Sequence, residues 1–307
     1  MIRQTTAIKT VGLTKYFGRN SAVRNLTMEI PAGQVTALVG HNGAGKTTFI
    51  RMLLGLAEPT RGRCAILGED SQTLSPQTRS RIGYLAEGHF LWNWMRAKDV
   101  ARFQRETFPK WDQKLFDSML SFFGVSPDAK IGQISRGQRA GVSLGMTMAT
   151  DPEILILDDP SMGLDPVARR ALVEGLLAFA RREGRTVLIS THLLDDVERL
   201  ADRIALLSNG NLLVDAPLVD FQQRVQGWKI DSTIVAPPAI PGLIDSRTFD
   251  GQTNLVVADP DEETIASIER IGHNARSEQL TLEDAVLAYL RPASMVGSIS
   301  ASLEAAQ

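Results

Sequence analysis

The stretch Gly40-His41-Asn42-Gly43-Ala44-Gly45-Lys46-Thr47, followed by Thr48, decides how the rest of the chain is read. It fits the phosphate-binding loop pattern of a glycine, four residues, a second glycine, a lysine and then a serine or threonine. The chemistry explains the residue types. Glycines let the backbone turn tightly and aim successive N–H groups at phosphate oxygens. A helix starting near Lys46 adds its positive N-terminal end. Lys46 would reach the β- and γ-phosphates of a nucleotide, and the Thr47 hydroxyl would ligate Mg²⁺. The context agrees: Val35–Val39 is a short apolar run that stops at Gly40, and Lys46–Leu56 reads as a helix.

Further along the chain, Arg81–Leu85 reads as a strand, and Ile154–Leu157 is a continuous apolar run of the kind buried on both faces of a parallel sheet. Thr186–Ser190 repeats that pattern, Leu193–Ala201 reads as a helix, and Arg203–Ser208 reads as a strand. Asn209-Gly210 between two apolar runs predicts a tight hairpin into Leu212–Val214. Residues 1–215 thus alternate strand-like and helix-like segments, which predicts a largely parallel sheet flanked by helices. Between Phe90 and Ala149 the strand signals vanish. Trp92, Trp94, Phe103, Phe108, Trp111, Phe116, Phe122 and Phe123 stand there among helix formers. This reads as a helical insertion over about 88–149 whose aromatics mostly pack its own small core.

After Asp215 the composition shifts, and Pro217, Pro237, Pro238, Pro241 and Pro260 interrupt the chain. Short strands are expected at Ile230–Val235 and Asn254–Val257, and helices at Glu262–Ile271 and Leu282–Leu290. Residues 216–307 then form a small α+β appendage. Glu262, Glu263, Glu269 and Arg270 fall on a solvated helix face, and the tail after Pro292 is expected to fray.

A phosphate loop needs a second metal anchor on a neighbouring strand. Ile154-Leu155-Ile156-Leu157-Asp158-Asp159 supplies a candidate. Four apolar residues bury the strand, and Asp158 emerges at its C-terminal end, where open α/β sheets place their ligands. Asp158 is assigned to Mg²⁺ through water, and Asp159 to orienting or deprotonating an attacking water. The competing reading of such an acidic pair is a helix N-cap.

Composition narrows the function classes. The 33 Lys and Arg nearly balance 35 Asp and Glu, and a net charge of -2 gives no basic footprint for nucleic acid. A single cysteine, Cys64, excludes an intramolecular disulfide framework. The opening MIRQTTAIKT lacks the apolar core of a secretory leader, and no stretch has the roughly 18 consecutive apolar residues of a membrane span. Any service to a membrane is expected to run through a partner.

Three further motifs narrow the reading. Ile134-Ser135-Arg136-Gly137-Gln138 ends twenty residues before Asp158, Ser161-Met162-Gly163-Leu164-Asp165-Pro166 follows the acidic pair, and Ser190-Thr191-His192 follows an apolar strand. In this order, the five motifs resemble the nucleotide-binding domain of ABC transporters, over about Ile8 to Asp215. FPKWD at Phe108–Asp112, PVARR at Pro166–Arg170 and LTLEDAVLAYL at Leu280–Leu290 resemble ATPase subunits of bacterial ABC exporters of the drug, lipid or antibiotic-export type.

The resemblance implies an α/β fold: a P-loop NTPase core with a mostly parallel sheet, an antiparallel β portion, a helical subdomain insertion and a small α+β C-terminal appendage. It implies ATP and Mg²⁺ as the bound species. Ser135, Gly137 and Gln138 would form the signature loop that reaches across a head-to-tail dimer to the γ-phosphate on the other subunit. From the residues alone the same stretch is the capped start of a Gly137–Ala149 helix, and both readings can hold at once. Asp165 would belong to the loop crossing the dimer interface, and His192 would contact the γ-phosphate. Phe17, with Tyr16 as second choice, precedes Gly18 where the family stacks an aromatic ring on adenine, with Val23 as an apolar neighbour. An ordinary core aromatic is the alternative.

Four positions depart from the commonest family pattern. Asp159 stands where a glutamate is usual, which shortens the reach of the base by roughly an ångström and predicts a lower hydrolytic rate. Glu87 stands where a glutamine usually serves the metal and the water; a carboxylate can also ligate Mg²⁺, and the competing reading is a solvated loop charge. Ile134 and Arg136 replace the usual Leu and Gly of the signature.

The segment Gly88-His89-Phe90-Leu91-Trp92-Asn93-Trp94 is rich in large apolar groups. In the family, the groove beside it grips a short helix of the membrane subunit, which makes Trp92 or Trp94 a candidate anchor; the alternative packs both in the insertion's core. The resemblance implies a separate transmembrane permease subunit, a second ATP-binding subunit, a peripheral position on the cytoplasmic face of the cell membrane, and export. Translation factors of this superfamily usually carry two cassettes, whereas one phosphate loop occurs here. DNA-maintenance members insert a long coiled coil, whereas Lys46 and Ser135 lie 89 residues apart with no heptad run. The departures at Asp159 and Glu87 leave open a regulatory ATP-binding module with little hydrolysis, and import stays open as a variant of the transporter reading because direction depends on the partner.

Overall fold

The computed structural model describes residues 6–231, 240–249, 251–271 and 273–291. The expected end of the Ile230–Val235 strand, Pro237, Pro238 and the tail after Pro292 lie outside these residues. The chain divides into two compact units between Asp215 and Ala216. The first begins with β1 (Thr6–Phe17), β2 (Asn20–Pro31), β3 (Val35–Val39), α1 (Lys46–Leu53), β4 (Arg61–Ile66), β5 (Glu69–Asp70), α2 (Pro76–Arg79) and β6 (Ile82–Leu85). It continues with α3 (Ala97–Thr107), α4 (Gln113–Phe122), α5 (Arg136–Met148), β7 (Ile154–Asp158), α6 (Pro166–Ala180), β8 (Thr186–Thr191), α7 (Leu194–Leu200), β9 (Arg203–Ser208) and β10 (Asn211–Pro217).

One sheet has the order β2-β1-β4-β5, with β1 antiparallel to both β2 and β4. The other has the order β10-β9-β3-β8-β7-β6, and β9, β3, β8, β7 and β6 run parallel. Every residue of β3, β7 and β8 is buried, which is why these strands read as unbroken apolar runs rather than alternating ones. The register pairs Val39 with Thr191 and Asp158 with Ser190. The residues that leave these strands at their C-terminal ends therefore emerge side by side. Asn209 and Gly210 both have positive φ, 49° and 79°, the mirror-image turn expected of a two-residue hairpin.

Helix α1 presses Phe49, Ile50, Met52 and Leu53 into the main core with Leu38, Ile156, Leu188 and the inner residues of the antiparallel sheet. It ends at Leu53 rather than Leu56. Gly55 takes φ 68°, its N–H donates to the Met52 carbonyl, and the Leu56 N–H donates to the Arg51 carbonyl. That pair of bonds is a glycine-terminated helix end.

The helices α3, α4 and α5 enclose a separate core of Met95, Val100, Phe116, Leu120, Val125, Ile131 and Val142, with Trp111 and Phe123 packed against it. The expectation that the insertion's aromatics mostly fill its core is corrected here. Trp92, Trp94, Phe103 and Phe122 are exposed, as is the neighbouring Phe90. Gly141 and Gly145 let α5 lie so close to α4 that a Cβ there would stand 2.2 Å from Phe123 Cγ and 2.9 Å from Met119 Cβ, so the enclosed volume has room for few rings.

The second unit begins with α8 (Leu218–Arg224), β11 (Val225–Asp231), β12 (Leu243–Phe249), β13 (Gln252–Ala258), α9 (Glu262–Ile271), β14 (His273–Gln279) and α10 (Leu282–Leu290). Its antiparallel sheet has the order β12-β13-β11-β14. Trp228, Ile230, Leu255, Val257 and Ile268 form its core. Glu262, Glu263, Glu269 and Arg270 are exposed on α9.

Candidate functional site

The phosphate loop leaves β3 at Gly40 and enters α1 at Lys46. A Cβ at Gly40 would lie 2.3 Å from the Leu207 carbonyl oxygen, and one at Gly45 would lie 2.3 Å from that of Ala22. Gly43 and Gly45 take φ 83° and 109°. Only glycine meets these demands. His41, Asn42 and Gly43 are exposed, Ala44 is buried, and Thr48 is half-buried one turn into the helix. The Lys46 ammonium folds back over the loop and donates to the Gly40 carbonyl at 2.7 Å and the His41 carbonyl at 3.2 Å. Burial lowers the Lys46 pKa, opposed in order by the negative charges of Asp159, Asp158 and Glu87. Three carboxylates thus share one electrostatic neighbourhood with the lysine.

Asp158 and Asp159 emerge from β7, both buried. Asp158 Oδ1 accepts from the Thr47 hydroxyl at 3.1 Å and from the Ser190 hydroxyl at 2.8 Å. The same Ser190 oxygen accepts the Asp159 N–H at 2.9 Å. One buried hydroxyl on β8 therefore fixes both acidic residues. Asp159 sits at φ 46°, a left-handed conformation that aspartate tolerates better than most side chains. Its Oδ2 accepts from His192 Nδ1 at 2.9 Å, which directs Nε2 of the imidazole away from the carboxylate. Its Oδ1 is buried with no hydrogen-bond partner among the described residues. The helix that follows is capped by Asp165, whose Oδ1 accepts from Val167 N and Ala168 N at 2.9 Å, with Pro166 in the first turn. The N-cap reading of the acidic pair therefore does not hold.

Beyond Asp159 the chain turns through Pro160 to Ser161. The Ser161 hydroxyl donates to Asp196 Oδ2 at 2.9 Å, and Arg169 Nε donates to Asp196 Oδ1 at 2.8 Å. Ser161 and Asp196 are buried, and Asp196 lies on α7, directly after the His192 segment. This network joins the turn, α6 and α7.

Ser135 caps α5: its hydroxyl accepts the Gln138 N–H at 3.1 Å, and Gln138 Oε1 accepts the Ser135 N–H at 3.1 Å. Helix α5 starts at Arg136, one residue earlier than expected. Gly137 is buried so tightly that a Cβ would lie 2.5 Å from that of Ala168. Arg136 is directed along the chain's own loop, with Nη1 2.9 Å from where a Gly163 Cβ would stand. Phe17 is 57% exposed and Tyr16 44%, so neither is a core aromatic, while Val23 is fully buried. The Lys15 ammonium lies 5.2 Å from the Phe17 ring centroid.

The sheet thus gathers Lys46, Thr47, Asp158, Asp159 and His192 at the C-terminal ends of its strands, with Glu87 half-buried nearby. The signature residues and Asp165 form a second group around the starts of α5 and α6. Asp196 was not singled out by sequence reasoning, and Ser161, Arg169 and Ser190 only as parts of motifs. Serines and an ion pair give no spacing signal until the fold brings them together. Among the described residues no three His, Cys, Asp or Glu side chains form a cation cage. A hard cation shared between one hydroxyl, one or two carboxylates and phosphate oxygens needs no such cage, so Thr47, Asp158 and Glu87 fit Mg²⁺ with a nucleotide.

A model of the ABC transporter family matches residues 23–162. The bacitracin transport ATP-binding protein BcrA of Bacillus licheniformis is 31% identical over 222 residues, which cover 72% of this chain and 72% of BcrA. The chain belongs to the ABC transporter ATP-binding proteins. This ABC protein is also 29% identical over 292 residues to a Nod factor export ATP-binding protein I from a Rhizobium species, spanning 92% of this chain and 96% of that one. A solved structure of an ATP-binding subunit of an ABC transporter superposes with a TM-score of 0.63 at 27% identity, covering 71% of this chain and 92% of the other. As a member of this family the chain is an ATP-binding, ATP-hydrolysing subunit that works with transmembrane components. Among its own described residues no helix is long and apolar enough to cross a membrane.

Proposed function

We propose that this ABC protein binds ATP with Mg²⁺, closes head to tail with a second ATP-binding subunit, and reopens on hydrolysis to drive a separate transmembrane permease. The direction is export, and the seat is the cytoplasmic face of the cell membrane. The names of the relatives, bacitracin transport and Nod factor export, support a transporter that moves a product outward.

The observation that carries the hydrolytic reading is the Asp159 carboxylate. One oxygen is held by His192, and the other is buried without a donor next to Lys46. A water proton would satisfy that oxygen, which makes Asp159 the group that orients and deprotonates the attacking water. His192, anchored through Nδ1, presents its other nitrogen toward the transferred phosphate. Lys46 and the loop N–H groups take the phosphate charge. Thr47, Asp158 and Glu87 would hold the Mg²⁺, which would neutralise charge developing on the phosphates. Phe17 supplies the exposed ring on which adenine stacks, with Val23 in the wall behind. Ser135, Gly137 and Gln138 at the start of α5 close the site of the second subunit, and Asp165 lies at the interface between the two. Trp92 or Trp94, exposed beside the Glu87 loop, anchors the permease.

Light scattering on the Asp159→Asn variant tests the pairing. With MgATP the particle mass should double, and wild type should return to the smaller mass as ATP is consumed. An Asp159→Asn protein that binds ATP yet keeps one mass would contradict closure between two copies of this chain.

A further inference from the structure

Glu87 is followed by two residues with positive φ, Gly88 at 85° and His89 at 50°. This double left-handed step turns His89 inward, to 5% exposure, while Phe90 beside it is 85% exposed. Inside, His89 Nε2 lies 2.9 Å from the Pro160 carbonyl oxygen. A carbonyl only accepts, so Nε2 carries the hydrogen. The other ring nitrogen, Nδ1, is buried with no partner among the described residues. The ring thus makes one bond, and that bond reaches the residue after Asp159. The far side of the same turn is held by Ser161 on Asp196. Pro160 has no N–H of its own, and its carbonyl would otherwise be a buried acceptor without a donor.

We propose that His89 is a positioning residue that ties the Asp159-Pro160-Ser161 turn to the loop between Glu87 and the exposed aromatic strip, so that movement of that strip reaches Asp159 through one hydrogen bond. This inference rests on the reading of Asp159 as the water-orienting group. Releasing the bond frees the backbone that sets the Asp159 carboxylate, and an ångström of drift at a base costs up to about a hundredfold in turnover. The nucleotide is held by the phosphate loop and the Phe17 ring, so its affinity should not follow.

The experiment compares MgATP turnover and ATP affinity for wild type, His89→Ala, His89→Gln and Asp159→Asn. His89→Ala should lower kcat about ten- to hundredfold, with the Kd for ATP within about twofold of wild type. His89→Gln retains an N–H donor of similar reach and should recover most of the rate. A folded His89→Ala protein with wild-type kcat overturns the inference, as does a folded His89→Gln protein as slow as Asp159→Asn. If the alanine variant does not fold, the glutamine variant decides by its kcat alone. Failure of the underlying reading shows separately: there, Asp159→Asn would turn over like wild type whatever His89 does.

Discussion

Replacing Arg169 by alanine should destabilise the first unit and slow hydrolysis through a single buried charge. Asp196 is 2% exposed, and its two oxygens are taken by Arg169 Nε at 2.8 Å and the Ser161 hydroxyl at 2.9 Å. Without the guanidinium, the carboxylate keeps one neutral donor. Breaking a buried pair from one side costs about 3–5 kcal/mol. Arg169 is 25% exposed and lines an open cleft of about 470 Å³ with Ser161, His192 and Asp196, so water can enter. That relief brings the expected loss to about 2–3 kcal/mol. For a domain of this size it corresponds to a fall in Tm of about 4–12 °C by thermal unfolding. Pairing Arg169→Ala with Asp196→Asn should recover part of the loss, because no unpaired charge then remains. Since Ser161 follows the Asp159 turn and Asp196 follows His192, kcat should fall about tenfold while ATP affinity holds. An Arg169→Ala protein that melts within about 1 °C of wild type, or a double variant worse than the single one, would refute the reasoning.

Ser190→Ala removes the hydroxyl that serves Asp158 and the Asp159 N–H together; denaturant unfolding should show a loss of about 1–3 kcal/mol, and turnover should drop with it. Gly45→Ala forces a Cβ to within 2.3 Å of the Ala22 carbonyl oxygen, so calorimetry should show ATP binding weakened at least tenfold or abolished. Phe17→Ala should raise the KM for ATP by about two- to tenfold, the worth of one stacked ring, with kcat little changed. Trp94 is 74% exposed, so Trp94→Ala should leave Tm unchanged but reduce stimulation of the ATPase by the membrane partner.

Much of this architecture was legible in the sequence because the parallel strands are buried on both faces. Val35–Val39, Thr186–Thr191 and Arg203–Ser208 announce themselves as apolar runs, and the Asn209-Gly210 turn joins the last of them to β10. The antiparallel sheet was expected only as a portion of the fold, with none of β1, β2, β4 and β5 located, and in the second unit the strands that escaped notice are polar edges. In the second unit β12 reads LIDSRTF and β14 reads HNARSEQ, and each lies at an edge of its sheet. Edge strands with polar or charged residues resist pairing with other chains, and the same composition hides them from a periodicity search.

The site divides the same way. Lys46, Thr47 and the acidic pair lie in two contiguous motifs and could be found by spacing. The contacts that hold the acidic pair come from residues 31 to 111 positions away, with Ser190 on both aspartates, His192 on Asp159 and Thr47 on Asp158. The misreading of the insertion's aromatics has a related cause. Ring content says how much apolar surface exists, but the close approach of α4 and α5 at Gly141 and Gly145 decides how much of it fits inside.

The central claim is that the Asp159 carboxylate, held by His192 on one oxygen and bare on the other, drives hydrolysis of ATP. Phosphate release by the purified chain with ATP, with and without Mg²⁺, beside Asp159→Asn tests it most directly. Mg²⁺-dependent turnover that Asp159→Asn abolishes while still binding ATP is the predicted result. Turnover in Asp159→Asn equal to wild type would contradict the account.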